Sequence, residues 1–163
     1  MHRGLGLAAT LGLVALVAGC AAGSSAPTPA AGFGPLGGPG CSPASPISEQ
    51  SGYPEVQGTP NAGSDGVSLF GWIMANDVPP LLAGHDVKVV WRLVGVGGES
   101  VRLFGPTGHE APLSWGPEAH TSSNYERPGL EWGTGFVLDE PGCWELRFGS
   151  GGAGASVWFE VSR

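Results

Sequence analysis

The clearest pattern in the chain is an alternation of apolar positions between Val87 and Val94. Val87, Val89, Trp91 and Leu93 share one parity, and a period of two is typical of a β-strand with one buried face. The pattern therefore predicts a strand whose Trp91 side points into a core.

Further strands are predicted where β-branched and aromatic residues cluster between glycine and proline signals. They are Val67–Met74, Ser100–Phe104, the two arms of Glu131–Phe148, and Ser156–Ser162. The arms of Glu131–Phe148 flank a Pro-Gly turn and predict a β-hairpin. No helical period of useful length and no internal repeat is found.

The remaining segments are predicted to be irregular. Residues 42–64 are rich in proline, serine and glycine and predict an extended segment on the surface, while residues 105–133 predict long loops. Five or six short strands without helices indicate an all-β fold, an antiparallel β-sandwich. The apolar parities predict a core made of Val89, Trp91, Leu93, Phe136, Leu138, Trp144, Leu146, Phe148, Val157, Phe159 and Val161.

Composition agrees with a turn-rich β protein that carries a flexible arm. The 163 residues include 30 glycines and 15 prolines, and only 13% are charged. The formal net charge of -7 would repel phosphate backbones, so no nucleic-acid partner is predicted. No glycine-rich phosphate loop precedes a helix, and no cofactor is predicted.

The first twenty residues read as an export signal. His2 and Arg3 precede an uncharged run that is too short to span a bilayer comfortably. The run ends in Val-Ala-Gly-Cys, which resembles the lipobox of bacterial lipoproteins. The resemblance implies a signal peptide over 1–19, a diacylglycerol anchor on Cys20, and a location on the extracytoplasmic face of the cell membrane. An ordinary secretory signal is the alternative.

Two cysteines remain if Cys20 carries lipid. The uncharged residues 21–40 predict a flexible linker, which makes 41–163 the β-sandwich domain. On the oxidising side of the membrane, a disulfide between Cys41 and Cys143 is the economical interpretation. Two free thiols or a redox pair are the alternatives, although the Cys-x-x-Cys spacing of a redox pair is absent.

Several motifs carry a family resemblance. At WRLVG, WGPEAH, SNYERPG, EWGTGF and PGCWEL the chain resembles uncharacterised exported bacterial lipoproteins that share a C-terminal Pro-Gly-Cys-Trp-Glu hairpin. The resemblance covers about Val87 to Val161. It implies an immunoglobulin-like sandwich and an upstream cysteine as the disulfide partner, and it implies no activity.

The richest polar stretch, Trp115 to Trp132, is the predicted ligand-binding surface because functional residues concentrate on loops carried by a rigid scaffold. Exposed aromatic residues beside polar groups can stack on sugar rings or anchor a protein. The alternative is a loop that merely braces itself on the sandwich. The proposed ligand-binding residues are Trp115, Glu118, His120, Asn124, Tyr125, Arg127 and Trp132.

Two catalytic interpretations of this stretch are weaker. Glu118 and His120, joined by His109 or Glu131, would suit a metal such as zinc, but the sequence shows no third ligand in reach. A serine near His120 lacks the Gly-x-Ser-x-Gly turn of a nucleophile.

We therefore expect a non-catalytic binding module with an envelope protein or a glycan as its partner. A metal-dependent envelope enzyme and a purely structural lipoprotein are the alternatives. The alternation of apolar and polar residues in the second arm of Glu131–Phe148 also predicts the direction in which Cys143 points. If Trp144, Leu146 and Phe148 face the core, Cys143 faces outward and clamps the N-terminal segment across the outside of the sheet.

Overall fold

A computed structural model describes residues 41, 45–75, 80–121 and 123–163. The predicted signal peptide, the lipidation site at Cys20 and the linker lie outside these residues. Within the described ranges, no helix could cross a membrane. The same ranges contain twelve strands: β1 (Ile47–Gln50), β2 (Tyr53–Gln57), β3 (Thr59–Pro60), β4 (Ser68–Ala75), β5 (Leu81–Leu82), β6 (Asp86–Val94), β7 (Ser100–Phe104), β8 (Glu110–Ala111), β9 (Trp115–His120), β10 (Leu130–Val137), β11 (Gly142–Ser150) and β12 (Ala153–Ser162).

The strands form two stacked sheets, which confirms the predicted all-β sandwich. Sheet A has the order β1-β2-β4-β6-β10-β9, with antiparallel neighbours throughout. Sheet B has the order β3-β12-β11-β7-β8, and the short β5 pairs with β12 in parallel. The immunoglobulin-like character of the sandwich stays a prediction.

The core lies between the two sheets and is made by the predicted parities. All eleven predicted core side chains are buried, each at most 3% exposed. The indole N–H of Trp91 donates to the hydroxyl of Thr134 at 2.8 Å, so this large ring is buried without an unpaired donor. Alternation along single strands thus identified eleven of the nineteen buried residues in the core cluster of the described chain.

The predicted hairpin over Glu131–Phe148 is wrong. Its two arms are β10 and β11, and they belong to different sheets. The Pro-Gly turn carries the chain from one sheet to the other, and the indole N–H of Trp144 donates to the carbonyl of Glu140 at 2.9 Å beside it. Both arms still turn their apolar side chains to a common core, because two strands facing each other across a sandwich satisfy the same pattern as paired strands.

Two segments predicted to lack strands contain them. Residues 42–64 include β1 and β2, which form an antiparallel pair that extends sheet A, and the short β3. Residues 105–133 include β8 and β9, and β9 is an edge strand whose residues are mostly exposed. An edge strand with Gly and Pro and little apolar alternation gives no strand signal in the sequence.

The disulfide between Cys41 and Cys143 is present, which confirms the pairing. Trp144, Leu146 and Phe148 are buried, whereas Cys143 lies on the opposite side of β11 and is partly exposed. Beyond Cys41, the hydroxyl of Ser45 accepts a hydrogen bond from the backbone N–H of Trp158 at 2.9 Å. Cys143 therefore points outward, as predicted, and the disulfide holds Cys41 on the outer side of β11, while Ser45 is bonded to the edge of β12. The predicted path of the segment between Cys41 and Ser45 lies outside the described residues.

Candidate functional site

The outer face of sheet A, called face A below, carries an unusual set of side chains. In β4 the positions Leu69 and Ile73 face the core, so Phe70, Trp72 and Met74 point outward. The strand register extends these positions into three rows across the sheet. The rows are Gln57-Phe70-Arg92-Glu131-His120, Glu55-Trp72-Val90-Gly133-Glu118, and Met74-Lys88-Gly135-Trp115.

Trp115 lies directly on two glycines of the neighbouring strand. A Cβ atom at Gly135 would collide with the indole nitrogen of Trp115, and one at Gly133 would lie 3.0 Å from its six-membered ring. The indole therefore rests on bare backbone, which only glycine permits at this distance. Trp115 is 37% exposed, and the ammonium of Lys88 lies 5.8 Å from its ring centroid. The arrangement presents an aromatic ring to solvent on a rigid support.

A cavity of about 200 Å³ opens on face A, and Lys88, whose ammonium lies over the Trp115 ring, is part of its lining. It has apolar walls from strands β4 and β6 and a polar rim from β9, β10 and the segment between them. That segment, residues 123–129, is called the cover loop because it lies over one end of face A. The cavity is lined by Trp72, Met74, Lys88, Val90, His120, Ser123, Asn124 and Glu131.

A buried carboxylate fastens the cover loop to strand β2. Glu55 is 2% exposed, and it accepts hydrogen bonds from the hydroxyl of Tyr125 at 2.7 Å and from Arg127 at 2.6 and 2.9 Å. Tyr125 also stacks on Trp72, with ring centroids 4.3 Å apart. Burial, and then the hydrogen bond to Glu55, raise the pKa of Tyr125 well above its ordinary value.

A second buried carboxylate fastens the start of the same loop. Glu131 forms an ion pair with Arg92 at 2.8 Å and accepts a hydrogen bond from the hydroxyl of Ser123. Arg92 also donates to the backbone carbonyls of Tyr125 at 2.9 Å and Gly129 at 3.2 Å. The wall of the cavity is consequently held by charge-assisted hydrogen bonds before any ligand arrives.

Four of the seven predicted binding residues lie on the accessible part of face A or at its cavity. Trp115, Glu118 and His120 project from β9 and are exposed, and Asn124 lies exposed on the cavity rim. These four residues therefore stay predicted binding residues, although Trp115–His120 is a strand and not part of a loop.

The other three predicted binding residues need correction. Tyr125 is 1% exposed and serves the Glu55 network, so a ligand cannot reach it. Arg127 is engaged by the same carboxylate. Trp132 points to the opposite side of sheet A, where it packs edge-on against Phe148. The bracing interpretation therefore holds for these three side chains.

Several residues of the site were missed. Glu55 lies in the segment predicted to be irregular, and Trp72 is in neither the predicted core nor the predicted binding set. Lys88 and Arg92 lie on the polar parity of the strand predicted over Val87–Val94 and are not among the predicted binding residues. The available signal was Val90, an apolar residue on that same parity, which indicates that the outer face of β6 is partly covered.

The metal hypothesis lacks its third ligand. In the part of the chain that the structure describes, no three His, Cys, Asp or Glu residues form a group that could hold a metal ion. His109 lies near Trp144 on another part of the molecule, and Glu131 is paired with Arg92. Ser122, one of the serines next to His120, lies outside the described residues.

Comparison with known proteins found no match for this chain: no family model, no curated protein and no solved structure matches it.

Proposed function

We propose that this chain is a lipid-anchored, extracytoplasmic, non-catalytic binding protein whose β-sandwich holds a glycan on face A. The anchor on Cys20, the signal peptide over 1–19 and the location on the cell membrane belong to this proposal, and they rest on the lipobox-like sequence. The immunoglobulin-like character of the sandwich is also part of it and rests on the motif resemblance.

The observation that carries the glycan proposal is the setting of Trp115. Its ring lies against Gly133 and Gly135 and remains exposed. Lys88, whose ammonium lies over this ring, is also part of the lining of a cavity with both apolar walls and polar groups. Sugar rings offer an apolar C–H face for stacking and hydroxyl groups for hydrogen bonds. A site with few polar groups on a mostly apolar, preformed wall suits such a ligand.

The size of the cavity supports a small ligand unit. Its volume of about 200 Å³ is below the roughly 300–1,000 Å³ that is common for drug-sized ligands. One sugar ring at Trp115, with a substituent in the cavity, is therefore the expected unit of recognition. The rest of a longer glycan would extend over the exposed edge strand β9.

A glycan array followed by calorimetric titration tests this proposal with the full chain in detergent. Trp115→Ala should lower the affinity for a bound glycan at least tenfold, because stacking on one aromatic ring contributes about 1–3 kcal/mol when measured for planar bases. Gly135→Ala should weaken binding comparably, since it keeps the tryptophan but pushes its ring off the strand.

Trp158→Ala is the matched control, because Trp158 lies on the outside of sheet B. It should leave glycan binding unchanged. The absence of any bound glycan, or binding that survives both Trp115→Ala and Gly135→Ala, would contradict the proposal. The anchor is tested separately by metabolic labelling with palmitate, which should enter the wild-type chain and be lost in Cys20→Ser.

A further inference from the structure

Lys88 is a cation that lies on face A between the cavity and the ring of Trp115. It is the chain's single lysine, and the register sets it on face A between Met74 and Gly135. Its side chain is exposed and lines the cavity, and its ammonium lies over Trp115. A ligand that stacks on Trp115 and extends into the cavity would therefore pass the ammonium of Lys88.

Lys88 also differs from its basic neighbours in its partners. Arg92 and Arg127 on face A each pair with a glutamate. Among the described residues, Lys88 forms no ion pair, although Asp86 and Glu118 lie on the same face. A cation without a carboxylate partner, placed at the mouth of a cavity, is available to an anionic group from outside the protein.

The charge inside the cavity does not oppose such a group. The carboxylate of Glu131 belongs to the lining, but Arg92 neutralises it at 2.8 Å. Glu118 lies one row away and faces solvent. The acidic chain as a whole repels anions at long range, so capture has to come from the short-range contact with Lys88.

From these observations we propose that face A selects a sugar ring that carries a negatively charged substituent, a carboxylate or a phosphate. The ring stacks on Trp115, and the anionic group contacts the ammonium of Lys88 at the cavity. This inference rests on the glycan-binding function proposed above and narrows its ligand class.

The test compares sugars that differ at one substituent, using saturation-transfer NMR titrations of the full chain in detergent. The probes are methyl glucoside, methyl glucuronide, glucose 6-phosphate and inorganic phosphate. At least one anionic sugar should bind about tenfold more tightly than methyl glucoside, in line with a hydrogen bond to a charged group. That advantage should shrink as salt is added.

Substitutions of Lys88 test whether its ammonium causes the tighter binding of the anionic sugar. Lys88→Gln should remove the preference for the anionic sugar over methyl glucoside, whereas Lys88→Arg should retain most of that preference. Arg102→Gln removes the same charge from the opposite side of the sandwich, so it serves as the matched control and should change neither affinity.

The outcomes separate this inference from the function on which it rests. If all three sugars bind wild type equally, or if Lys88→Gln leaves the preference intact, the anionic ligand class is refuted while glycan binding stands. Inorganic phosphate that binds as tightly as glucose 6-phosphate and ignores Trp115→Ala would also refute it, because the site would then hold a bare anion. If no glycan on the array and none of these sugars binds, the glycan-binding function itself fails.

Discussion

The two outer faces of the sandwich carry the same kind of ion pair in opposite surroundings. On the outer face of sheet B, called face B, Arg102 pairs with Glu110 at 2.6 Å, and both side chains are about half exposed, at 51% and 50%. On face A, Arg127 pairs with Glu55 at the same distance, but the Glu55 side chain is only 3% exposed. The difference arises from the cover loop, whose Tyr125 and Arg127 enclose the carboxylate of Glu55.

Burial changes what such a pair contributes. Exposed pairs are typically worth about 0–1 kcal/mol, whereas removing one partner of a buried pair costs about 3–5 kcal/mol because a charge is left without compensation. Face A therefore has a rigid polar framework under its cover loop. Face B has solvated pairs, in which Arg102 holds the pKa of Glu110 below its usual value.

Face B lacks a buried ion pair of this kind among the described residues, but it carries a disulfide bond. The disulfide from Cys41 reaches Cys143 on the outside of β11 and holds Cys41 there. The two faces are thus secured by different means, hydrogen-bonded charges on one and a cross-link on the other. This contrast can be tested by removing each device in turn.

The largest effect is expected for the cross-link. The double variant Cys41→Ser, Cys143→Ser opens a loop with a sequence separation of 102 residues. In the chain-entropy account this lowers the free energy of unfolding by about 4–5 kcal/mol, measured by guanidinium denaturation. The near-UV circular dichroism of the folded variant should keep the signal of the Trp72–Tyr125 stack, because face A is untouched. Loss of that signal in a folded variant would show that the two faces are not secured independently.

The second largest effect is expected when the buried ion pair of face A and an exposed ion pair of face B are each broken. Arg127→Gln should lower the free energy of unfolding by about 3 kcal/mol, because Glu55 stays buried without its cation. The matched variant Arg147→Gln on face B removes the partner of Glu145 and should cost only about 0.5 kcal/mol. Urea denaturation of both variants measures the difference. Equal losses would mean that the cover loop does not shield its ion pair.

The smallest expected effect is that Tyr125 gives no tyrosinate absorbance near pH 10 when the folded protein is titrated with base. The pKa of Tyr125 is raised above its ordinary value of about 10, so its protonated form is favoured by folding. The resulting stability is present below about pH 10 and is lost as the pH rises through the folded-state pKa. While the protein stays folded, wild type and Tyr125→Phe should therefore develop the same tyrosinate absorbance. An additional tyrosinate from wild type near pH 10 would show that Tyr125 is accessible.

The candidate site was only partly predictable. Trp115, Glu118 and His120 could be selected because polar and aromatic residues concentrate there in the sequence. The support under Trp115 could not, because Gly133 and Gly135 follow it by about twenty residues and read simply as turn-forming glycines. Glu55 lies 72 residues before Arg127, so their pairing leaves no local trace in the sequence.

By itself, the sequence determined the β class of the domain, eleven of its core residues and the pairing of its two described cysteines. Each of these follows from local alternation or from a count of residues, and none depends on which strands become neighbours. Only the tertiary structure decided that β10 and β11 separate into different sheets, that the cover loop buries two glutamates, and that Trp115 rests on glycine backbone. These features depend on contacts between distant segments, and a period of two identifies which face of a strand is buried but not what covers it.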